Sequence, residues 1–416
     1  MKRSAVMAAG LAVIVVSIAV RADQRATTPP NAVPAAPTFA ADVAPIIFNN
    51  CAVCHRPGQS APFSLLSFDD VKRHGDEIAE VVGTRYMPPW HAVRADGFAE
   101  FADERRLTDT QIATLTKWIA NGMPSGDLSK APKTPTFASG WALGTPDLVL
   151  KMPRAVAVPA DGPDTYRNVL LPVNLPEDRW IQAIEIKPGA RAQVHHVIAY
   201  TQPSGEPING DGVLGPTNIG GVTPNKPGVT FPDGVARLLR GKHDIVLQIH
   251  YTTNGKEALD RTEVGLIFAK QPPVKAAAGG LVINPRFVIP ANDGNYEVRG
   301  VNVLARDTLL TTMTPHMHVR GKDMTYIAHY PDGRDETLLV VPKYDFNWQI
   351  TYELAEPKLL PAGTRLEVIA HFDNSPNNRF NPDPAQAVRW GDQTWEEMMI
   401  GFFGTLRDLP KADAQQ

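Results

Sequence analysis

At about residue 140 the spacing of apolar residues changes from a helical period of 3.6 to an alternation of 2, and the alternation persists almost to the C-terminus. A period of 2 puts every second side chain on one face, which is what a half-buried strand needs and a helix cannot use. Short runs rich in Val, Ile, Tyr and Thr predict strands at Trp180–Ile186, Val194–Thr201, Asp244–Thr252, Glu263–Phe268, Asn302–Met313, Met324–His329, Asn347–Glu353 and Arg365–Phe372. Many of the 38 prolines fall between them, in turns such as KPGA and PAGT. An ordinary β-sandwich takes about 100 residues, so this stretch predicts two stacked ones, over 140–270 and 271–410.

Before the switch, residues 39–123 read as helical. One helix is expected over Asp69–Val82 and another over Thr108–Asn121, where Thr108 and Gln111 have capping-box spacing and Gly122 supplies the stop. Residues 124–139 read as a linker and 23–38 as a flexible Pro/Ala/Thr leader. At the start, Lys2 and Arg3 precede an apolar run from Ala5 to Val20 and then Arg21-Ala22. That is the pattern of a signal peptide over 1–22, so the chain is expected in the periplasm, or tethered to the membrane if the signal stays uncleaved. A net charge of −3 offers no basic surface, and a nucleic-acid partner is not expected.

Both cysteines lie in Cys51-Ala52-Val53-Cys54-His55. This is the C-x-x-C-H signature of covalent c-type haem attachment: two thiols add to the haem vinyl groups and the histidine ligates iron. A redox dithiol has no need of His55, and a zinc site would need two more ligands. The second axial ligand is expected downstream, at Met87 in Tyr86-Met87-Pro88-Pro89-Trp90, where the prolines forbid helix and hold a loop. Met123, His74 and His91 are the competitors. The segment from about 39 to 125 resembles a class I cytochrome c, which implies a small all-α domain.

The histidines of the β-region concentrate in Val194-His195-His196-Val197, Gln248-Ile249-His250-Tyr251 and Pro315-His316-Met317-His318. In H-x-H both rings share a face and can share an ion. The vicinal pair would point to opposite faces of a regular strand, so joint ligation there requires a twist or bulge. Ligands of this kind suit copper or zinc.

The motifs VHHVIAY, LQIHYTT, HMHVRGK and TWEEMM, in that order, resemble the copper type II monooxygenases, the family of the peptidylglycine α-hydroxylating and dopamine β-monooxygenases. The resemblance covers about residues 140–408 and implies two jelly-roll sandwiches, each holding one copper, across an open cleft. It implies that His195, His196 and His250 hold an electron-transfer copper. It likewise makes His316, His318 and Met398 the ligands of an oxygen-binding copper and the catalytic set, with Met399 the alternative to Met398. Gln248 matches a position in the cleft. The peptide-amidating members carry Arg, Asn and Tyr where Thr314, Ile400 and Phe402 stand here, so a carboxylate anchor is missing and an apolar pocket is expected.

The whole then reads as an exported copper- and haem-dependent monooxygenase. It is expected to hydroxylate a C–H bond of a small organic substrate with O₂. Electrons would come through the fused haem from a periplasmic donor: a cytochrome, a quinol-linked reductant or an ascorbate-like one. A non-catalytic haem and copper electron carrier or redox sensor is the alternative. His243, His329 and His371 are expected to be structural, and Glu396-Glu397 to belong to a strand leading to Met398.

Overall fold

The computed structural model describes residues 32–95, 97–208, 217–222, 226 and 228–410. The signal peptide expected over 1–22 and residues 23–31 of the leader lie outside them. Among the described residues no helix is long and apolar enough to cross a membrane. Most of the ordered structure is β-sheet, preceded by a small helical part. Buried apolar side chains gather into three large clusters, one among the helices and one inside each of two sheet pairs.

The helical part begins with a π turn at Phe39–Val43 that runs into α1 (Ala44–Asn50), followed by α2 (Phe68–Arg73), α3 (Gly75–Gly83) and α4 (Asp109–Ala120). Its core is Val43, Ile47, Val71, Leu115 and Trp118. The capping box forms as expected: the Thr108 side chain accepts the Gln111 N–H and Gln111 returns the bond, while Gly122 leaves α4 at φ 80°. The single helix expected over Asp69–Val82 is instead two, broken at His74. There the imidazole stacks on Phe63 at 3.7 Å, a tertiary contact invisible to periodicity.

In the first sandwich, strands Leu148–Lys151, Glu263–Phe268, Arg179–Lys187 and Val235–Leu239 lie side by side. They face a four-stranded sheet ordered Thr165–Leu171, His243–Tyr251, Val194–Pro203 and Asn218–Val222. Inward residues such as Ile181, Ile184, Leu247 and Ile249 fill the space between. The second sandwich pairs strands Lys275–Ile283, Ile400–Asp408, Thr308–His316 and Tyr352–Leu360 with Tyr296–Val303, Arg365–Phe372, Gly321–His329 and Asp335–Val341. Val235 and Ala236 run parallel to Lys275 and Ala276, so one sheet continues from the first sandwich into the second.

Two of the expected strands need correction. Asn302–Met313 spans the end of one strand and the start of another, Tyr296–Val303 and Thr308–His316, which lie in different sheets. Leu304, between them, exchanges backbone bonds with Gly363 and Thr364 and turns the chain. Asn347–Glu353 becomes a strand only at Tyr352, because the Asp345 carboxylate accepts the backbone and side-chain N–H groups of Asn347 and curls the chain first.

Residues 90–95 and 97–102 leave the helical part and lie along the second sandwich. Val93 N–H donates to Val340, Ala102 N–H to Glu353, and Glu100 O accepts from Ala355. Trp90 packs edge-on against Tyr352, with ring centroids 5.1 Å apart. The stretch expected as a linker is also packed: Phe39 and Ala40 donate to Pro124 and Ser125, and the Arg56 guanidinium sits 3.9 Å over the Phe137 ring.

On the second sandwich His329 is paired on both nitrogens, with Asp335 at 2.7 Å and Glu367 at 2.9 Å. His371 is held by Asp323 at 2.7 Å, and His243 by Gly241 O at 3.0 Å. All three have structural partners. Hydrogen bonds to Glu367 and Asp335 raise the His329 pKa above the usual imidazole value. Its contribution is therefore complete below the unfolded value and disappears as pH climbs through the raised one. His329→Gln is expected to lower the urea midpoint at pH 6 by the equivalent of about 1 kcal/mol or less, and to have a smaller effect at alkaline pH, where the imidazole has lost its proton.

Candidate metal centre

The first histidine set is built by two neighbouring strands, Val194–Pro203 and His243–Tyr251. His250 lies in the strand His243–Tyr251, opposite Tyr166 on one side and His196 on the other. The register slips between Val194 and His196, and this bulge turns His195 to the same side as its neighbour. One ligand atom from each of His195, His196 and His250 lies within 4.8 Å of the others, so the three imidazoles could hold a metal ion. His250 Nε2 meets the Asp164 carboxylate at 2.9 Å, and its Nδ1 has no partner. Both nitrogens of His195 and Nδ1 of His196 are also buried without hydrogen bonds. Buried polar atoms are normally paired, so three such rings turned on one another mark a place for a cation.

Electrostatics prepares the set for that role. Burial, with the neighbouring His250 adding to it, pushes His195 down to about 3 and His196 well below the imidazole range. Neutral imidazoles offer lone pairs without a proton to displace.

The second set sits where strand Thr308–His316 ends. His316 Nδ1 faces Gln349 Oε1 at 2.9 Å and His318 Nδ1 faces the Glu396 carbonyl at 3.1 Å. Each ring thus keeps Nε2 for another partner. Burial is the main cause that lowers His316 to about 4 and His318 to about 3. Gly321 closes the turn after the motif, where a Cβ would come within 2.6 Å of Met317 Cβ.

Glu397 is fully buried and its carboxylate accepts the backbone N–H of His318 at 2.8 Å and of Arg320 at 2.6 Å. Burial pushes this carboxyl up to about 8, against the pull of those amides and of the Arg320 charge. The expectation that Glu396-Glu397 precede Met398 in a strand is incorrect, since the next strand begins at Ile400. The segment turns instead, and Glu397 pins it to the H-x-H motif. Met399 is fully buried in the core of the second sandwich. Met398, 9% exposed, is not part of that core cluster and follows directly on Glu397, whose carboxylate holds the His318 N–H.

The two sets are neighbours. The Phe346 ring lies 5.2 Å from His195, 5.8 Å from His250 and 5.9 Å from His318. One aromatic ring thus lies near rings of both sets. Asp164 extends the contact: the oxygen that meets His250 also accepts from Thr394 Oγ1 at 3.1 Å, in the segment leading to Met398. Gln248 is half-buried in its strand. Thr314 is tied to Thr351 at 2.9 Å, Ile400 is buried, and the Phe402 ring is 6.0 Å from His316.

In the helical part, Cys51 caps the end of α1, and the N–H groups of Cys54 and His55 both return to Cys51 O. Both thiols are free. His55 Nδ1 lies 3.3 Å from the Phe63 carbonyl, which leaves Nε2 for a ligand. Two thiols in one turn beside an imidazole oriented from behind fit covalent haem. Met87 is half-buried in a loop, its N–H bonded to Val81 O. Of its competitors, Met123 packs over Gly75 in the helical core, and His74 is engaged by Phe63 and Glu77.

No protein-family model and no curated protein matches the chain. Among solved structures, the major capsid protein of bacteriophage PM2 is 10% identical, over 64% of this chain and 98% of its own, with a TM-score of 0.25. The STIV MCP is 10% identical over 55% of this chain and 96% of its own, with a TM-score of 0.22. Likeness at that level carries no argument about the chain.

Asp164, Phe346, Gln349 and Glu397 are the parts of the site that motif spacing does not reveal. Asp164 stands 86 positions from His250, and Gln349 stands 33 from His316. Neither has a local pattern that would single it out.

Proposed function

We propose that the chain is an exported copper-dependent monooxygenase of the type II copper kind. In this reading two jelly-roll sandwiches each hold one copper, and a class I cytochrome c domain supplies electrons through a covalent haem. The observation that carries this reading is the pair of buried imidazole sets on either side of Phe346, the first with unpartnered nitrogens turned inward. His195, His196 and His250 would hold the copper that passes electrons. His316, His318 and Met398 would hold the copper at which O₂ reacts, and Cys51, Cys54, His55 and Met87 the haem. Copper with two imidazoles and a weak thioether favours Cu(I) and leaves a position open for O₂.

The reaction is RH + O₂ + 2e⁻ + 2H⁺ → ROH + H₂O. Phe402 and Ile400, with Thr314 already engaged by Thr351, make an apolar approach to His316. A small apolar substrate suits that surface, and a peptide carboxylate does not. The electron-carrier alternative draws support from Phe346, which lies near rings of both sets.

Metal content and O₂ uptake separate the two. The purified chain is expected to take up two copper ions, and His316→Ala one. The reduced, copper-loaded protein is expected to consume O₂ faster with an apolar C–H substrate than without, and His316→Ala to lose at least about a hundredfold of that rate. Two coppers without substrate-dependent uptake would identify a carrier.

A further inference from the structure

His250 and His316 are each oriented by one hydrogen bond from behind, and the two acceptors differ in charge. Behind His250 is the Asp164 carboxylate, 2.9 Å from Nε2. Behind His316 is the neutral amide oxygen of Gln349, 2.9 Å from Nδ1, and behind His318 a backbone carbonyl at 3.1 Å. An anion at that position makes the imidazole a stronger donor and stabilises the more highly charged ion, whereas a neutral acceptor does so less.

We propose that Asp164, acting through His250, lowers the reduction potential of a copper held by His195, His196 and His250. This rests on the two-copper reading above. Asp164 is a positioning residue, acting through His250.

Three features support the assignment. The Asp164 oxygen that meets His250 also accepts from Thr394 Oγ1 at 3.1 Å, so the carboxylate is held in place behind the ring. The His250 ring cannot swing away, because Tyr166 stacks on it at 4.3 Å with planes 9° apart. Gln349 is 6% exposed with φ at 28°, a conformation its surroundings must impose to place the amide at His316.

The test uses the full-length chain with His316→Ala, which leaves only the first site, titrated with Cu(II) and, under reduction, with Cu(I). Asp164→Asn is expected to weaken Cu(II) binding by about 10–100-fold and Cu(I) binding by distinctly less. Each tenfold change in the ratio corresponds to a rise of about 59 mV in potential. Asp164→Glu is expected to restore most of the Cu(II) affinity, and Thr394→Val, which spares the carboxylate, to keep the Cu(II)-to-Cu(I) ratio within about threefold of the parent. Equal losses for both oxidation states would show a merely structural role and overturn the proposal, as would no change in either. A parent that binds no copper would overturn the two-copper reading and this proposal with it.

Discussion

A chain carrying Cys51→Ala and Cys54→Ala is expected to lose all covalent haem. After denaturation and removal of free haem, the wild type is expected to retain one haem per chain by its reduced absorption spectrum, and the double variant none. The geometry leaves little slack for partial loss, since both thiols sit in the one turn that ends α1 and His55 is fixed from behind by Phe63. Burial, helped by the neighbouring Cys54, pushes the Cys51 thiol up to about 12. His55→Ala keeps the thiols and is expected to keep the haem attached while changing its ligand spectrum. A wild-type chain free of covalent haem after passage through a cell able to attach it would sink the assignment.

Glu397→Leu is expected to cost about 3–5 kcal/mol of stability, read as a lowered urea midpoint with an unchanged slope. Three losses coincide. The N–H groups of His318 and Arg320 lose their acceptor, and the Arg320 guanidinium, 2% exposed, loses the electrostatic support of the Glu397 carboxyl. Arg320 would remain tied to Asn374 and to Trp395 O, so it cannot escape to water without tearing that corner open. Glu397→Gln keeps an acceptor oxygen and is expected to recover about half of the loss. A Leu variant within 1 kcal/mol of wild type would mean that the corner is held by packing alone.

How far the sequence could be read varied with the distance over which each feature is determined. The α4 cap was legible because Thr108, Gln111 and Gly122 settle it among themselves. The bulge at His195 was legible because two adjacent strand residues cannot otherwise face one ion, and the register slip stands there. The break at His74 was not, since it depends on Phe63, eleven positions earlier in the chain. Nor was the ring between the two sets: Phe346 lies in a turn made by Asp345, and nothing in its neighbours predicts contact with His195 and His250 from another sandwich. Ligands that repeat at short spacing announce themselves, whereas the residues that orient them are recruited by the finished fold.

The path of residues 90–95 and 97–102 bears on how this protein can be divided. By bonding to Val340 on one side and to Glu353 and Ala355 on the other, the segment covers backbone groups on two strands that would otherwise border the second sandwich. A shortened version beginning at residue 140 would lose the helical part and also bare those borders, along with Tyr352, against which Trp90 rests. Bare strand borders recruit strands from other molecules. Inactivity of such a fragment would then report clumping as readily as any loss of chemistry, because the helical part serves its larger neighbour as a selvedge.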